Sequence, residues 1–463
     1  MSKIKFGTDG WRAIIAQDFT VENVARVSEA TAKWLKSKNA KSVVVGHDCR
    51  FAGELFADTV AKVLNHYGIK VFLAKGFVST PMVSLGTVKK NADLGIIITA
   101  SHNPPSYNGF KLKGSYGGPL LPEEVQEIED LIDEKCSINL HSDFSENLLE
   151  YIDLETMYCK HAEENFDLDA IRNSGLNLAY DAMYGAGQNV MRRLLPDITF
   201  LHCDHNPGFN GQAPEPIHKN LLEFSEMIRL SEGDIDCGLA TDGDADRIGL
   251  YDKDGSFVDS HHIILLLIHY LKKYKGMNGK VCTAFSTTVK IKNMCEHYKL
   301  PLDVVKIGFK YICGIMLKED VLVGGEESGG IAIKGHIPER DGIWMGLTIW
   351  EFMAKSGKSL KDLIQEVYDI TGTFWFERSD LHLADELKNK IVANCKAGNY
   401  KSFGKYKVQR VDDLDGWKFF FDEDTWLMIR ASGTEPVLRT YAEGKNKEVS
   451  FDILKDAQKV LLG

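Results

Sequence analysis

The chain has 463 residues, 44% apolar and 26% charged, with a formal net charge of −11. That length exceeds one hydrophobic core, and the composition is that of a globular protein, not a disordered or fibrous one. An acidic balance with no basic block excludes nucleic acid as an expected partner, and positive charge for an anionic substrate must be gathered locally. The opening "MSKIKFGTDG" lacks an apolar secretion segment, and "IILLLIHYL" (263–271) is too short to span a membrane. A cytoplasmic protein without membrane contact is therefore expected. Nine cysteines, scattered singly with no C-x-x-C pair, fit reduced thiols and not a disulfide framework or zinc site.

In chain order, "TVENVARVSEATAKWLKS" predicts an amphipathic helix, "KSVVVGHD" a strand, and "GELFADTVAKVLNHYG" a helix closed at Gly68. "IKVFLAKG" and "LGIIITAS" predict further strands, and this alternation implies β-α-β units with a mostly parallel sheet. Three apolar strands then empty into polar loops: "LGIIITASHNPPSYNGFK" (94–111), "DIDCGLATDGDADR" (234–247) and "EDVLVGGEESGG" (319–330). Ligands sit beyond the carboxyl ends of strands in open α/β sheets, so these loops mark the expected site. The tail, "DGWKFFFDEDTWLMIRASGTEPVLRTYAEG" (415–444), has aromatic-rich strands around a hairpin-like turn and predicts a smaller α+β domain. The expected architecture is three successive α/β domains (1–150, 151–256, 257–370) followed by a C-terminal α+β domain (371–463).

Asp242, Asp244 and Asp246 alternate in "TDGDADR". Carboxylates so close repel one another unless a cation holds them, and all-oxygen ligation favours a hard ion such as Mg²⁺. An EF-hand is excluded, because its sixth position holds Arg247 and its twelfth Lys253. Ser101, beside His102 and Asn103, is either a turn serine or one activated by a base or metal, and the G-x-S-x-G elbow is absent. An exposed loop serine of this kind is expected to matter little for stability. In "RASGTEP" (430–436), Arg430 can hold a phosphate bidentately while Ser432, Thr434 and the backbone at Gly433 add donors. A plain surface turn is the alternative. "GGEESGG" offers carboxylates and a hydroxyl to sugar hydroxyls, and "FGTDGWR" carries Arg12, either a phosphate ligand or an exposed arginine.

Taken together, "FGTDGWR", "TASHNPPSYNGFK", "TDGDADR", "GGEESGG" and "RASGTEP", in this order over nearly the whole chain, resemble the α-D-phosphohexomutase superfamily. The resemblance implies four domains around a central cleft. It implies that Ser101 is a phosphoserine and that Mg²⁺ is held by Asp242, Asp244, Asp246 and the seryl phosphate. Arg12, His102, Lys111 and Arg247 then line the reacting centre, with Lys111 the first candidate for proton transfer and His102 the second. Glu326 and Ser328, together with Lys310 and His336, contact the sugar, while Arg430, Ser432, Gly433 and Thr434 hold the phosphate that is not reacting. The implied reaction interconverts hexose 1- and 6-phosphates through an enzyme-held hexose 1,6-bisphosphate.

Glucose phosphates are the expected substrates. "GEES" followed by "GHIPERDG" (335–342) and the stretch "KIGFKYI" (306–312) look more like the phosphoglucomutases. The bifunctional phosphomannomutase/phosphoglucomutase type, which "SHNPPSYNGFK" also resembles, tends to have Met and His where this chain has Glu327 and Gly330. Mannose phosphates are the runner-up, and glucosamine phosphate ranks behind both because those enzymes typically differ around the serine and in the sugar loop. A metal-dependent sugar phosphatase would use the same serine and aspartates but has no need of a second phosphate clamp. A non-catalytic sugar-phosphate sensor would have no need of an intact centre. The sequence says nothing of oligomeric state.

Overall fold

Short buried strands alternate with capped helices in a computed structural model that describes residues 4–140, 146–431 and 437–463. By density of contact the chain divides into two units, residues 1–280 with 308–363 and residues 281–307 with 364–463.

The first unit holds a six-stranded sheet of β1 (Trp11–Ile14), β2 (Ser42–His47), β3 (Lys70–Ala74), β4 (Leu94–Ile98), β5 (Tyr107–Gly114) and β6 (Leu149–Ile152), in the order β1-β5-β4-β2-β3-β6. β4, β2, β3 and β6 are parallel, while β5 runs antiparallel to β4 and β1 antiparallel to β5. All five residues of β4 are buried, as expected of a strand covered on both faces, with Leu94, Ile96 and Ile98 packing among Val43, Val45, Val71 and Leu73. The helix Val21–Ser37 starts where Thr20 accepts the N–H of Asn23, and the helix Gly53–His66 ends just before Gly68 at φ +72°. Ser79 caps the helix Thr80–Lys89, with Pro81 in its first turn.

A second sheet follows, built from β7 (Leu178–Asp181), β8 (Thr199–Leu201), β9 (Cys237–Thr241), β10 (Ile248–Asp252) and β11 (Phe257–Val258), in the order β11-β10-β9-β7-β8. β8, β7 and β9 are parallel, and β10 and β11 return antiparallel. The strands Val321–Gly325 and Ile331–Ile333 pair antiparallel around the glutamate loop. The apolar run at 263–271 lies largely in the buried helix Ser260–His269, and no described helix is long and apolar enough to cross a membrane.

The second unit contains, from residue 281 onward, the parallel pair Lys280–Ala284 and Leu302–Val305, and a five-stranded antiparallel sheet. Its "DEDT" stretch joins Trp417–Phe420 to Trp426–Ala431 as an antiparallel hairpin, and the helix Lys447–Leu462 buries Ile453, Leu454 and Ala457 in the same core as Leu427 and Ile429. Mixed, mostly parallel sheets followed by an antiparallel C-terminal α+β domain are the architecture the alternation predicts.

Candidate active site

β4 ends one residue before Thr99, and the chain turns at Ser101 (φ +52°) to come back as β5. Strand alternation then does the sorting: Phe110 and Leu112 enter the core, while Lys111 and Lys113 point to the other face. In the second sheet, β9 ends at Thr241, and Asp242 folds the turn onto itself by accepting the N–H groups of Asp246 and Arg247 at 2.9 and 3.1 Å. Gly243 lets this turn press on the serine loop, since a Cβ there would lie 2.6 Å from the Ser101 carbonyl oxygen.

The serine and aspartate loops meet. Ser101 Oγ donates to Asp242 Oδ2 at 2.6 Å, and His102 Nδ1 lies 3.3 Å from that hydroxyl oxygen. Against the expectation from a loop position, Ser101 is buried, at 1% exposure, because the two turns close over it. Lys111 Nζ reaches Asp244 at 2.7 Å, Asp246 at 3.1 Å and Asp9 at 2.9 Å. Thr80 Oγ1 donates to Asp244 Oδ2 at 2.5 Å. Arg12 donates to the Asn103 side chain at 2.7 Å, and Arg247 lies 3.6 Å from Glu215.

Burial, followed by repulsion from Asp244 and Asp246, pushes Asp242 well above the usual carboxylate range. Burial would raise Asp244 too, but Lys111, Thr80 and Arg340 outweigh it and hold that group low. Lys111 resists its own desolvation because Asp244, Asp246 and Asp9 raise it. His102 is held neutral, first by burial and then by Arg247, Arg12 and Lys111.

The donor set fits a hard divalent cation. One oxygen from each of Asp242, Asp244 and Asp246 lies within 4.8 Å of the others, and Asp244 Oδ1 and Asp246 Oδ1 are buried with no hydrogen-bond partner among the described residues. A buried oxygen left in that state is costly unless something positive meets it.

The glutamate loop is stapled to the aspartate loop. Arg247 and Gly330 form an isolated antiparallel bridge, and Ile248 donates its N–H to the Gly329 carbonyl at 3.2 Å. Glu326 accepts the Gly308 N–H at 2.8 Å, and burial pushes its carboxyl up to about 7 despite Arg340. Ser328, two residues on, lies half-buried in the same loop. Lys310 lines a cavity of about 180 Å³ with Thr8, Asp9 and Gly10. The structure does not bring His336 to these groups. Its side chain has no exposed surface, stacks on Trp344 at 3.8 Å and bonds Asp341 at 2.9 Å, because the following turn directs Arg340 inward instead. In the second unit, Arg430 lies on the strand Trp426–Ala431 with its Nε 3.2 Å from Asp415. Ser432, Gly433 and Thr434 fall outside the described residues.

Two groups lie within the quoted motifs without having been assigned a place at the site, Asp9 in "FGTDGWR" and Arg340 in "GHIPERDG". Asp9 sits among Lys111, Arg340 (2.5 Å), Lys113 (3.7 Å) and Arg12 (3.8 Å), which overcome burial and keep it ionised. Arg340 also reaches Asp246 at 2.9 Å. The only sequence signal for either was its neighbour, Arg12 for Asp9 and the quoted "PERDG" for Arg340.

Four family models match in order: phosphoglucomutase/phosphomannomutase alpha/beta/alpha domain I at residues 3–138, domain II at 156–255, domain III at 259–370, and the C-terminal domain at 382–457. Fold, site and these matches agree: the chain belongs to the phosphoglucomutase/phosphomannomutase family of α-D-phosphohexomutases, which are isomerases. It is 29% identical to the phosphoglucomutase/phosphomannomutase of Thermococcus kodakarensis, over 98% of each chain. It is 30% identical to the phosphoglucosamine mutase of Methanococcus vannielii, over 97% of each. A crystal structure carrying a phosphomannomutase name, from Thermus thermophilus, superposes with a TM-score of 0.88 at 32% identity over 100% of both chains. An Aspergillus fumigatus N-acetylphosphoglucosamine mutase, solved with GlcNAc-6P and magnesium, shares the fold at 16% identity and a TM-score of 0.59, over 99% of this chain and 96% of that one. Glucose-, mannose- and glucosamine-type names thus occur at similar distance, and similarity alone does not rank the sugars.

Proposed function

We propose that this protein is a phosphoglucomutase, interconverting glucose 1-phosphate and glucose 6-phosphate through a phosphoserine at Ser101 and glucose 1,6-bisphosphate. The carrying observation is the contact between Ser101 Oγ and Asp242, 2.6 Å long, inside a buried nest of aspartates and Lys111. A serine without phosphoryl chemistry has no need of such surroundings.

In the forward step the sugar hydroxyl oxygen bonds to the seryl phosphorus as the bond from phosphorus to Ser101 Oγ breaks. The hydroxyl proton leaves to a nearby base. Lys111, clasped by three carboxylates, serves as a fixed cation, and His102 Nδ1, 3.3 Å from Ser101 Oγ, stands at the leaving oxygen, where the serine regains a proton as it departs. Arg12 and Arg247 supply further positive charge to the equatorial phosphoryl oxygens. Asp242, Asp244, Asp246 and the seryl phosphate would hold Mg²⁺, which would neutralise charge on the transferring group, and the magnesium in the Aspergillus relative supports this reading. Glu326 and Ser328 grip sugar hydroxyls, and Arg430 with Ser432, Gly433 and Thr434 binds the distal phosphate. The boundaries near 150, 256 and 370 divide these tasks among four domains.

Relatives named phosphoglucosamine mutase favour a second reading, in which the 2-amino sugar is the better substrate. The test is kcat/KM for the 1-phosphates of glucose, mannose and glucosamine, with Mg²⁺ and a trace of the matching 1,6-bisphosphate. Glucose should rank first. A higher value for glucosamine transfers the assignment to that sugar, and inorganic phosphate released faster than any isomerisation would indicate a phosphatase.

A further inference from the structure

The serine loop is held from behind by a residue the reaction does not use. Arg50 stands beyond the end of β2, 3% exposed, and its guanidinium donates to the carbonyl oxygens of Ser101 (2.6 Å), Asn103 (2.7 Å), Pro104 (2.9 Å) and Tyr107 (3.0 Å). The ring of Phe209 lies 4.9 Å from its centre, and Asp48 Oδ2 lies 3.4 Å from its Nε. Asp48 carries the same anchorage a second way. It accepts from Thr99 Oγ1 at 2.5 Å, and that hydroxyl accepts the Ser101 N–H at 2.9 Å. Both backbone polar groups of Ser101 are therefore tied to the end of β2.

Such anchorage has work to do, because Ser101 occupies the left-handed region at φ +52°, where a non-glycine residue persists only if its surroundings over-determine it. A planar fork with five donors can collect four carbonyls of one loop, whereas an ammonium has three donors and no fixed plane.

We propose that Arg50 is a positioning residue for phosphoryl transfer. Its guanidinium fixes the carbonyls of residues 101, 103, 104 and 107 and so sets Ser101 Oγ against Asp242. The proposal rests on Ser101 being the phosphoryl carrier, and its test separates the two ideas. Arg50→Lys, Arg50→Met and Ser101→Ala are compared with wild type for kcat, for KM of the hexose 1-phosphate converted fastest, for thermal midpoint, and for single-turnover labelling of the protein by radiolabelled glucose 1,6-bisphosphate. A loop set loose by about an ångström predicts a loss of about 100-fold in both kcat and labelling rate for folded Arg50→Lys. KM should stay within a factor of about three, because substrate grips elsewhere, and Arg50→Met should lose more than Arg50→Lys. A folded Arg50→Lys with near-wild-type kcat, or with a rise in KM alone, would overturn the proposal while an inactive, unlabelled Ser101→Ala leaves the carrier assignment standing. Failure of both Arg50 variants to fold would assign the residue to stability and overturn it equally. Wild-type turnover by Ser101→Ala would remove both ideas together.

Discussion

Around Ser101, Lys111 has no exposed surface and touches three carboxylates, of which Asp244 and Asp246 are fully buried. Arg430 presents a different situation: its side chain is 23% exposed on a strand end, with Asp415 at 3.2 Å. The first arrangement is preorganised and dry, which suits stabilising charge that moves during a reaction. The second leaves a guanidinium free to exchange solvent for a ligand, which suits binding and release. In the proposed function, chemistry and grip are therefore separated by burial as well as by sequence.

The strongest way to break that contrast is Ser101→Ala. It should lower turnover by about 10⁴-fold or more. Because Ser101 is buried and donates to Asp242, it should also lose roughly 1 kcal/mol of stability, which steady-state kinetics and thermal unfolding would check together. Next, Lys111→Met leaves Asp9, Asp244 and Asp246 without their shared cation. Turnover should drop by about 100-fold or more, and stability by roughly 3–5 kcal/mol in denaturant titration. A surface-like loss below about 1 kcal/mol would contradict the burial argument.

Glu326 sharpens the contrast through pH. Burial keeps its carboxyl protonated to about 7, against 4.5 in the unfolded chain. Its stabilising contribution is therefore fully present below the unfolded value and is lost as pH rises through the folded one. Glu326→Gln should flatten the thermal midpoint over that window, removing a pH-dependent change of up to roughly 3 kcal/mol. Identical slopes for the variant and wild type would show that Glu326 is already ionised. The smallest effect is expected at Arg430→Ala: KM up about tenfold, or roughly 1.4 kcal/mol, with kcat within a factor of about three and little change in stability. A kcat loss with unchanged KM would place Arg430 in the chemistry.

The parts legible in the sequence were those whose geometry is local. Asp242, Asp244 and Asp246 lie on one turn, so their crowding follows from spacing, and "LGIII" reads as a doubly covered strand from its composition alone. Lys111 entered only through the resemblance, and its burial on β5 became visible with the structure. Asp9 and Arg340 were not legible as partners, because 331 positions separate them and only folding brings them to 2.5 Å. His336 shows the converse: it lies four residues before Arg340, yet the turn between them sends one side chain against Trp344 and the other to Asp246. Ser101 looked exposed because loops usually are, and only the second turn covers it.

Because main-chain bonds join Arg247 to Gly330 and Ile248 to Gly329, the length of the glutamate loop is locked to the register of the aspartate turn. Under the proposed function, exchanging the side chains of Glu327 or Ser328 should change sugar preference without moving the aspartate turn. Adding or deleting a residue between 324 and 330 should instead drag the aspartate turn out of place, because the two loops share these main-chain bonds.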